Sequence, residues 1–268
     1  MKTAVALNGK QYELLKFIAK YRFVTVAQVQ KQFGLKSRPS VNLKLSVLVR
    51  SGHVGMKYDK SWRLIGKPAA FYLTPQGLRV LQRQLPYITD SIIRNAYGDK
   101  SASESLIQQS GELFEQAQSL TRLYPNIKAL TARQLGDFDY FPKPLPDLYI
   151  AHAPDEETYR FFLYHFRDTK RYDIAVRSQV ARLIAYREAD TYSESENEFP
   201  IVLFVCDTAA IEKLAQRTVR NALNKSYESI LVYTTSRQAL ISQRSTDQPI
   251  WSSIDDPDTL ITFEDIEA

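Results

Sequence analysis

The scarcest residue in this 268-residue chain is cysteine. Cys206 is its sole representative, so no intrachain disulfide can form and no zinc site can be built on cysteine ligands, as expected in a reducing cytosol. No apolar run approaches the roughly 18 residues that span a bilayer. The short apolar stretch after Met1-Lys2-Thr3 is ended by Asn8 and Lys10, which argues against a secretory signal. A cytoplasmic protein without a membrane partner is therefore predicted. Only nine glycines are present, and Gly34, Gly52, Gly55, Gly66 and Gly77 fall at caps and turns, so no phosphate-cradling loop exists. His53, His152 and His165 are scattered without paired ligand spacing, which argues against a histidine metal site or a tyrosine transesterase with a His triplet.

The most telling scarcity is acid at the start. Residues 1–85 contain 16 Lys or Arg against only Glu13 and Asp59, whereas residues 86–268 hold 19 basic and 28 acidic side chains. Local charges of +14 and −9 thus lie behind the overall +5. Such a division points to a polyanion-binding module joined to a body of opposite sign. The length suits two cores better than one.

In the basic part, Asn8 is placed to cap a helix carrying Tyr12, Leu15, Ile18 and Ala19 at helical spacing to about Tyr21. Thr25 caps a second helix with Val26, Val29 and Phe33, stopped by Gly34. Ser37 or Ser40 opens a third, with Val41, Leu45 and Leu48 inward and Ser51-Gly52 at its end. An extended run from Val54 to Tyr58, a basic tip at 59–67 and a return over Ala70–Leu73 predict a hairpin, and Thr74-Pro75 launches a fourth helix to about Leu85. Three helices followed by a hairpin describe a winged helix-turn-helix.

That shape gives the charges a use. A helix in the major groove reads base edges from its N-terminal half while nearby cations neutralise phosphates. Lys36, Arg38, Ser40, Asn42 and Lys44 occupy that half, Arg50 is available to a phosphate, and Lys57, Lys60, Arg63 and Lys67 would let the wing reach backbone or minor groove. Trp62 is expected at the tip, against a sugar. Leu43 and Val47 fall opposite the inward stripe, where a reading face should be polar: either Leu43 meets a thymine methyl or both meet a partner chain.

Residues 86–100, with Pro86 and Gly98, read as a linker holding one short helix at most, and 101–268 as a second domain. The pattern there is a helix over 101–123, strands at 127–135, 145–152 and 159–167, a helix at 171–189, an acidic flexible stretch at 190–198, a strand at 199–206, a helix at 208–224, a strand at 230–234 and a short helix at 236–242. This order predicts an α/β sandwich with a mixed sheet, α+β overall.

The basic winged helix ending in Tyr72-Leu73-Thr74-Pro75-Gln76-Gly77, the connecting helix, and Leu145-Pro146-Asp147-Leu148-Tyr149-Ile150 before a second strand together resemble the replication-relaxation family of plasmid and mobile-element proteins. The resemblance spans most of the chain through short motifs. A transcriptional regulator stays open from the residues themselves; the resemblance implies a DNA-binding protein of plasmid replication or mobilisation. It also implies a restriction-endonuclease-like second domain, homodimerisation, and a relaxase or replication protein as partner.

Nucleases of that fold need two carboxylates to hold magnesium and a lysine to steady the attacking water. Pro146-Asp147 followed by Asp168-Thr169-Lys170 matches the letters, and Gln179, Arg182 and Tyr186 on the next helix are residue types that line such sites. Where the family's pattern carries an acidic pair, this chain has His165 and Arg167, and Arg167, Lys170 and Arg171 crowd Asp168 with positive charge. The expectation is a degenerate domain without a cofactor. The alternative is a magnesium-dependent nuclease using Asp147, Asp168 and Lys170.

Overall fold

The computed structural model describes residues 7–136, 138–154, 157–195, 197–223 and 230–266, and the chain divides into two compact units, Met1–Phe114 and Glu115–Ala268.

Helix α1 (Gly9–Tyr21) begins at Asn8, whose side chain accepts from the Gln11 N–H at 2.9 Å while Gln11 Oε1 accepts from the Asn8 N–H at 2.9 Å. Thr25 and Gln28 repeat this reciprocal cap on α2 (Val26–Gln32). Ser37, rather than Ser40, caps α3 (Arg38–Arg50), accepting from the Ser40 N–H at 3.4 Å with Pro39 in the first turn. Val41, Leu45 and Leu48 are its buried residues, as their spacing predicts.

Strands β1 (Phe23–Val24), β2 (Val54–Lys57) and β3 (Ala70–Leu73) form an antiparallel sheet in the order β1-β3-β2. β1 escapes sequence reading because two residues show no alternation. Between β2 and β3 the basic segment is not an open loop but carries a short helix, α4 (Lys60–Leu64).

Helix α5 (Pro75–Gln82) explains the Thr-Pro-Gln-Gly motif in atoms. Thr74 caps it by accepting from the Gly77 N–H at 3.2 Å, and the Thr74 hydroxyl donates to the Gly52 carbonyl at 2.6 Å, which binds the helix start to the end of α3. A methyl group on Gly77 would sit 2.1 Å from the His53 carbonyl oxygen. Helix propensity alone makes Gly→Ala stabilising by about 1 kcal/mol. Here the obstructing atom is main chain, so Gly77→Ala is expected to cost about 1–3 kcal/mol through overpacking, measured as a lower urea midpoint.

The segment 86–100 belongs to this first unit rather than linking two. It holds α6 (Asp90–Asn95) and a 3-10 turn (Ala96–Ser101), and buries Ile88, Ile93 and Ala96. Arg22 reaches the buried Asp99 at 2.8 Å. The chain divides further on, inside α7 (Glu104–Leu123). Residues 86–114 add four acids and two bases, so the first unit carries a net charge of +12.

Among the described residues the second unit builds a seven-stranded mixed sheet. Strands β4 (Ile127–Thr131), β5 (Leu148–His152) and β6 (Tyr159–Phe166) form an antiparallel meander. Helix α8 (Tyr172–Glu188) crosses to β7 (Ile201–Cys206), parallel to β6, and α9 (Ala209–Leu223) crosses to β8 (Val232–Ser236), parallel to β7. After α10 (Arg237–Ser242), strands β9 (Trp251–Ser253) and β10 (Leu260–Ile261) close the edge antiparallel. These last two strands were not visible in the sequence, being only three and two residues long.

Phe162, Tyr164, Phe166, Val202 and Phe204 pack on Val176, Val180 and Leu183 of α8 and on Ile211, Ala215 and Val219 of α9. Residues of alternate parity, such as Phe161, meet Phe263 on the other face with ring centroids 4.9 Å apart. The order α7-β4-β5-β6-α8-β7 makes this an α/β fold with a mixed sheet, matching the predicted sandwich. One segment differs: in the acidic stretch 190–198, Thr191–Ser195 form a 3-10 helix whose Tyr192 is buried against Phe162 and Phe199. An aromatic ring with apolar neighbours orders what its charges suggest is loose.

Candidate nucleic-acid interface

With Val41, Leu45 and Leu48 turned inward, helical geometry places Pro39, Leu43, Ser46 and Arg50 on the opposite side of α3, with Arg38 and Lys44 on its two flanks. Lys36, Arg38, Ser40, Asn42, Lys44 and Arg50 are all exposed. Lys36, Arg38 and Lys44 make no ion pair among the described residues, and the Arg50 Nε donates to the Ser46 carbonyl at 3.4 Å, which aligns it along the helix. No acid lies on α3, so its positive potential is not neutralised locally. Leu43 is 63% exposed at the centre of the outward face, while Val47 is half-buried.

The wing departs from expectation. Trp62 is buried with Phe23, Ala70, Tyr72, Ala102 and Ile107, and so is not placed against a sugar. Its indole N–H donates to Glu104 Oε1 at 2.8 Å, and Lys67 pairs with Glu104 Oε2 at 2.7 Å while its ammonium lies 4.6 Å from the Trp62 ring centre. The Lys67 ammonium and then the Trp62 indole hold the Glu104 carboxyl below its ordinary range. Lys57 donates to the Ala102 carbonyl. Two of the four wing cations are therefore engaged within the unit, Lys67 because α7 brings Glu104 from 37 residues away onto the hairpin and Lys57 through the carbonyl of Ala102. Lys60 and Arg63 remain exposed and make no ion pair among the described residues.

In the second unit, Asp147 stands just before β5, and its carboxylate accepts the backbone N–H of His165 on β6 at 2.8 Å. Asp168 and Lys170 lie past the end of β6 and are exposed, and Gln179 is half-buried on α8. The side chains brought together at these strand ends are others. His165 Nε2 lies 2.8 Å from Asp207 Oδ1, the Asp168 N–H donates to Asp207 Oδ2 at 3.0 Å, and Arg237 bridges Asp207 and Glu115 at 3.2 Å to each. Burial pushes the Asp207 carboxyl up, but the Asp168 N–H, His165 and Arg237 more than offset it and hold the group below its ordinary value.

A guanidinium sits on the carboxylate that directly follows the buried strand β7. Among the described residues no three His, Cys, Asp or Glu side chains are disposed to hold a metal ion. Asp207 was missed in the sequence although its position at the C-terminal end of a parallel strand was a usable signal. Arg237 and Glu115 carried none, being 122 residues apart. Cys206 is buried, which pushes its thiol pKa up and suits a packing role.

No family model matches the chain, and no curated protein does. Among solved structures, the restriction endonuclease FokI aligns at 11% identity with a TM-score of 0.32, over 89% of this chain and 44% of that one. This chain thus spans less than half the length of that neighbour. No helix among the described residues is long and apolar enough to cross a membrane.

Proposed function

We propose that this chain binds duplex DNA through its first unit, with α3 in the major groove and the wing on the adjacent backbone or minor groove. The observation that carries the reading is the unneutralised cationic surface of α3 within a helix-turn-helix and wing of net charge +12. Lys36, Arg38, Lys44 and Arg50 meet phosphates or base edges, Ser40 and Asn42 read bases, and Lys60 and Arg63 supply the wing's charge. Lys57 and Lys67 act indirectly, by holding the hairpin.

The biological role follows from the resemblance stated for the sequence: a cytoplasmic accessory factor of plasmid or mobile-element replication or mobilisation, with a transcriptional regulator open from the residues themselves. It would act as a homodimer beside a relaxase or replication protein. The second unit then serves docking rather than cleavage, since Arg237 and His165 occupy the strand-end carboxylate. The nuclease alternative requires magnesium-dependent nicking that Asp147→Ala abolishes with binding intact, and no nicking is expected.

Titrating labelled duplex DNA of random sequence with the full chain tests the reading. If about six phosphates are met, affinity should fall on the order of 1,000-fold between about 50 and 200 mM salt. Absence of binding at low salt, or binding indifferent to salt, would refute it.

A further inference from the structure

The two most exposed large apolar side chains among the described residues are neighbours: Leu64 is 88% exposed and Ile65 73%. They stand at the end of α4, on the tip of the wing. We propose that Leu64 and Ile65 form an apolar wedge that enters the DNA minor groove and bends the duplex. The inference rests on the DNA-binding reading above and adds a deformation to it.

Three features support a wedge. The first is a rigid mounting: Trp62 of the same short helix is buried, and Asp59 caps α4 by accepting from the Ser61 N–H at 2.8 Å. Lys67 N donates to the Trp62 carbonyl at 2.8 Å, with Gly66 between them at φ +67°, a left-handed turn that glycine adopts without strain. Side chains on so fixed a turn can push into a base step, whereas a mobile loop would fold away.

Charge is the second. Lys60 lies four residues before Leu64 on the same side of the helix, and Arg63 is adjacent, both exposed cations suited to the phosphates flanking a groove. Size is the third. A protein interface needs roughly 800 Å² from each partner, more than two side chains at a tip provide, while one or two apolar residues suffice to unstack a base step and kink DNA by about 20–90°.

The test uses the full chain and a short duplex carrying donor and acceptor dyes at its ends. Wild type should bring the ends together. The double variant Leu64→Ser with Ile65→Ser, at surface positions that leave the fold intact by circular dichroism, should keep an affinity within about tenfold and the same salt slope, since phosphate contacts carry most of the binding. It should lose the bend, and Leu64→Met with Ile65→Leu should retain it. A duplex that stays straight with wild type, or bends equally with the serine variant, overturns the wedge while leaving DNA binding in place. No duplex binding by wild type sinks both readings. A serine variant that bends DNA normally but changes sedimentation would assign the tip to a protein contact, and the wedge would again be wrong.

Discussion

Replacing Arg38 and Lys44 together with alanine should weaken duplex binding by about 10- to 100-fold and reduce the dependence of log affinity on log salt by about 2. Both side chains are exposed on the flanks of α3 and make no ion pair among the described residues, so their charge is available to phosphates. Fold stability should hardly change, because neither contributes to the buried stripe of Val41, Leu45 and Leu48. Lys67→Ala is the informative contrast. Its ammonium is paired with Glu104 and stacked on Trp62, so removing it should alter the salt slope little and the wing's stability measurably. Fluorescence anisotropy across a salt series separates the two. Equal slopes for wild type and the Arg38/Lys44 variant would show that α3 does not meet the DNA backbone.

Trp62→Ala should produce the largest loss of stability in the first unit, about 3–5 kcal/mol, as for other buried aromatic deletions. Trp62 is 2% exposed, joins the β-sheet to Ala102 and Ile107, and holds Glu104 through its indole N–H. Trp62→Phe keeps most of the apolar volume and drops the hydrogen bond, at a cost nearer 1 kcal/mol. Urea unfolding followed by circular dichroism distinguishes them. A loss below about 1 kcal/mol for the alanine variant would mean that the indole is not the core element its burial indicates.

The wing shows where sequence reading stops. A tryptophan amid four cations in a hairpin tip looks like a solvent-facing residue, since burial depends on what lies across from it. Here the covering residues come from a segment about 40 positions later that itself reads as a linker and a helix start. Fixing Trp62 inward also decided that Leu64 and Ile65 point out. The same limitation hid Asp207, Arg237 and Glu115: their proximity arises only when parallel strands end side by side, and no spacing along the chain encodes it. By contrast, the Pro-Asp and Asp-Thr-Lys letters were legible in the sequence, whereas their placement was not: Asp147 is held by a backbone N–H of β6 and Asp168 lies beyond the strand.

The sequence by itself determined the starts of α1, α2, α3 and α5, the inward stripe of α3, the β2–β3 hairpin and the uneven distribution of charge. These depend on interactions within a few residues, where an Asn, Ser or Thr satisfies the next turn's N–H groups or a repeat of 3.6 selects a face. Tertiary structure alone decided which of the basic residues stay available to a ligand, which are held by Glu104, Asp99 or a carbonyl, and where the first unit ends. Those outcomes depend on contacts between segments distant along the chain, and charge or apolarity at one position does not reveal its partner.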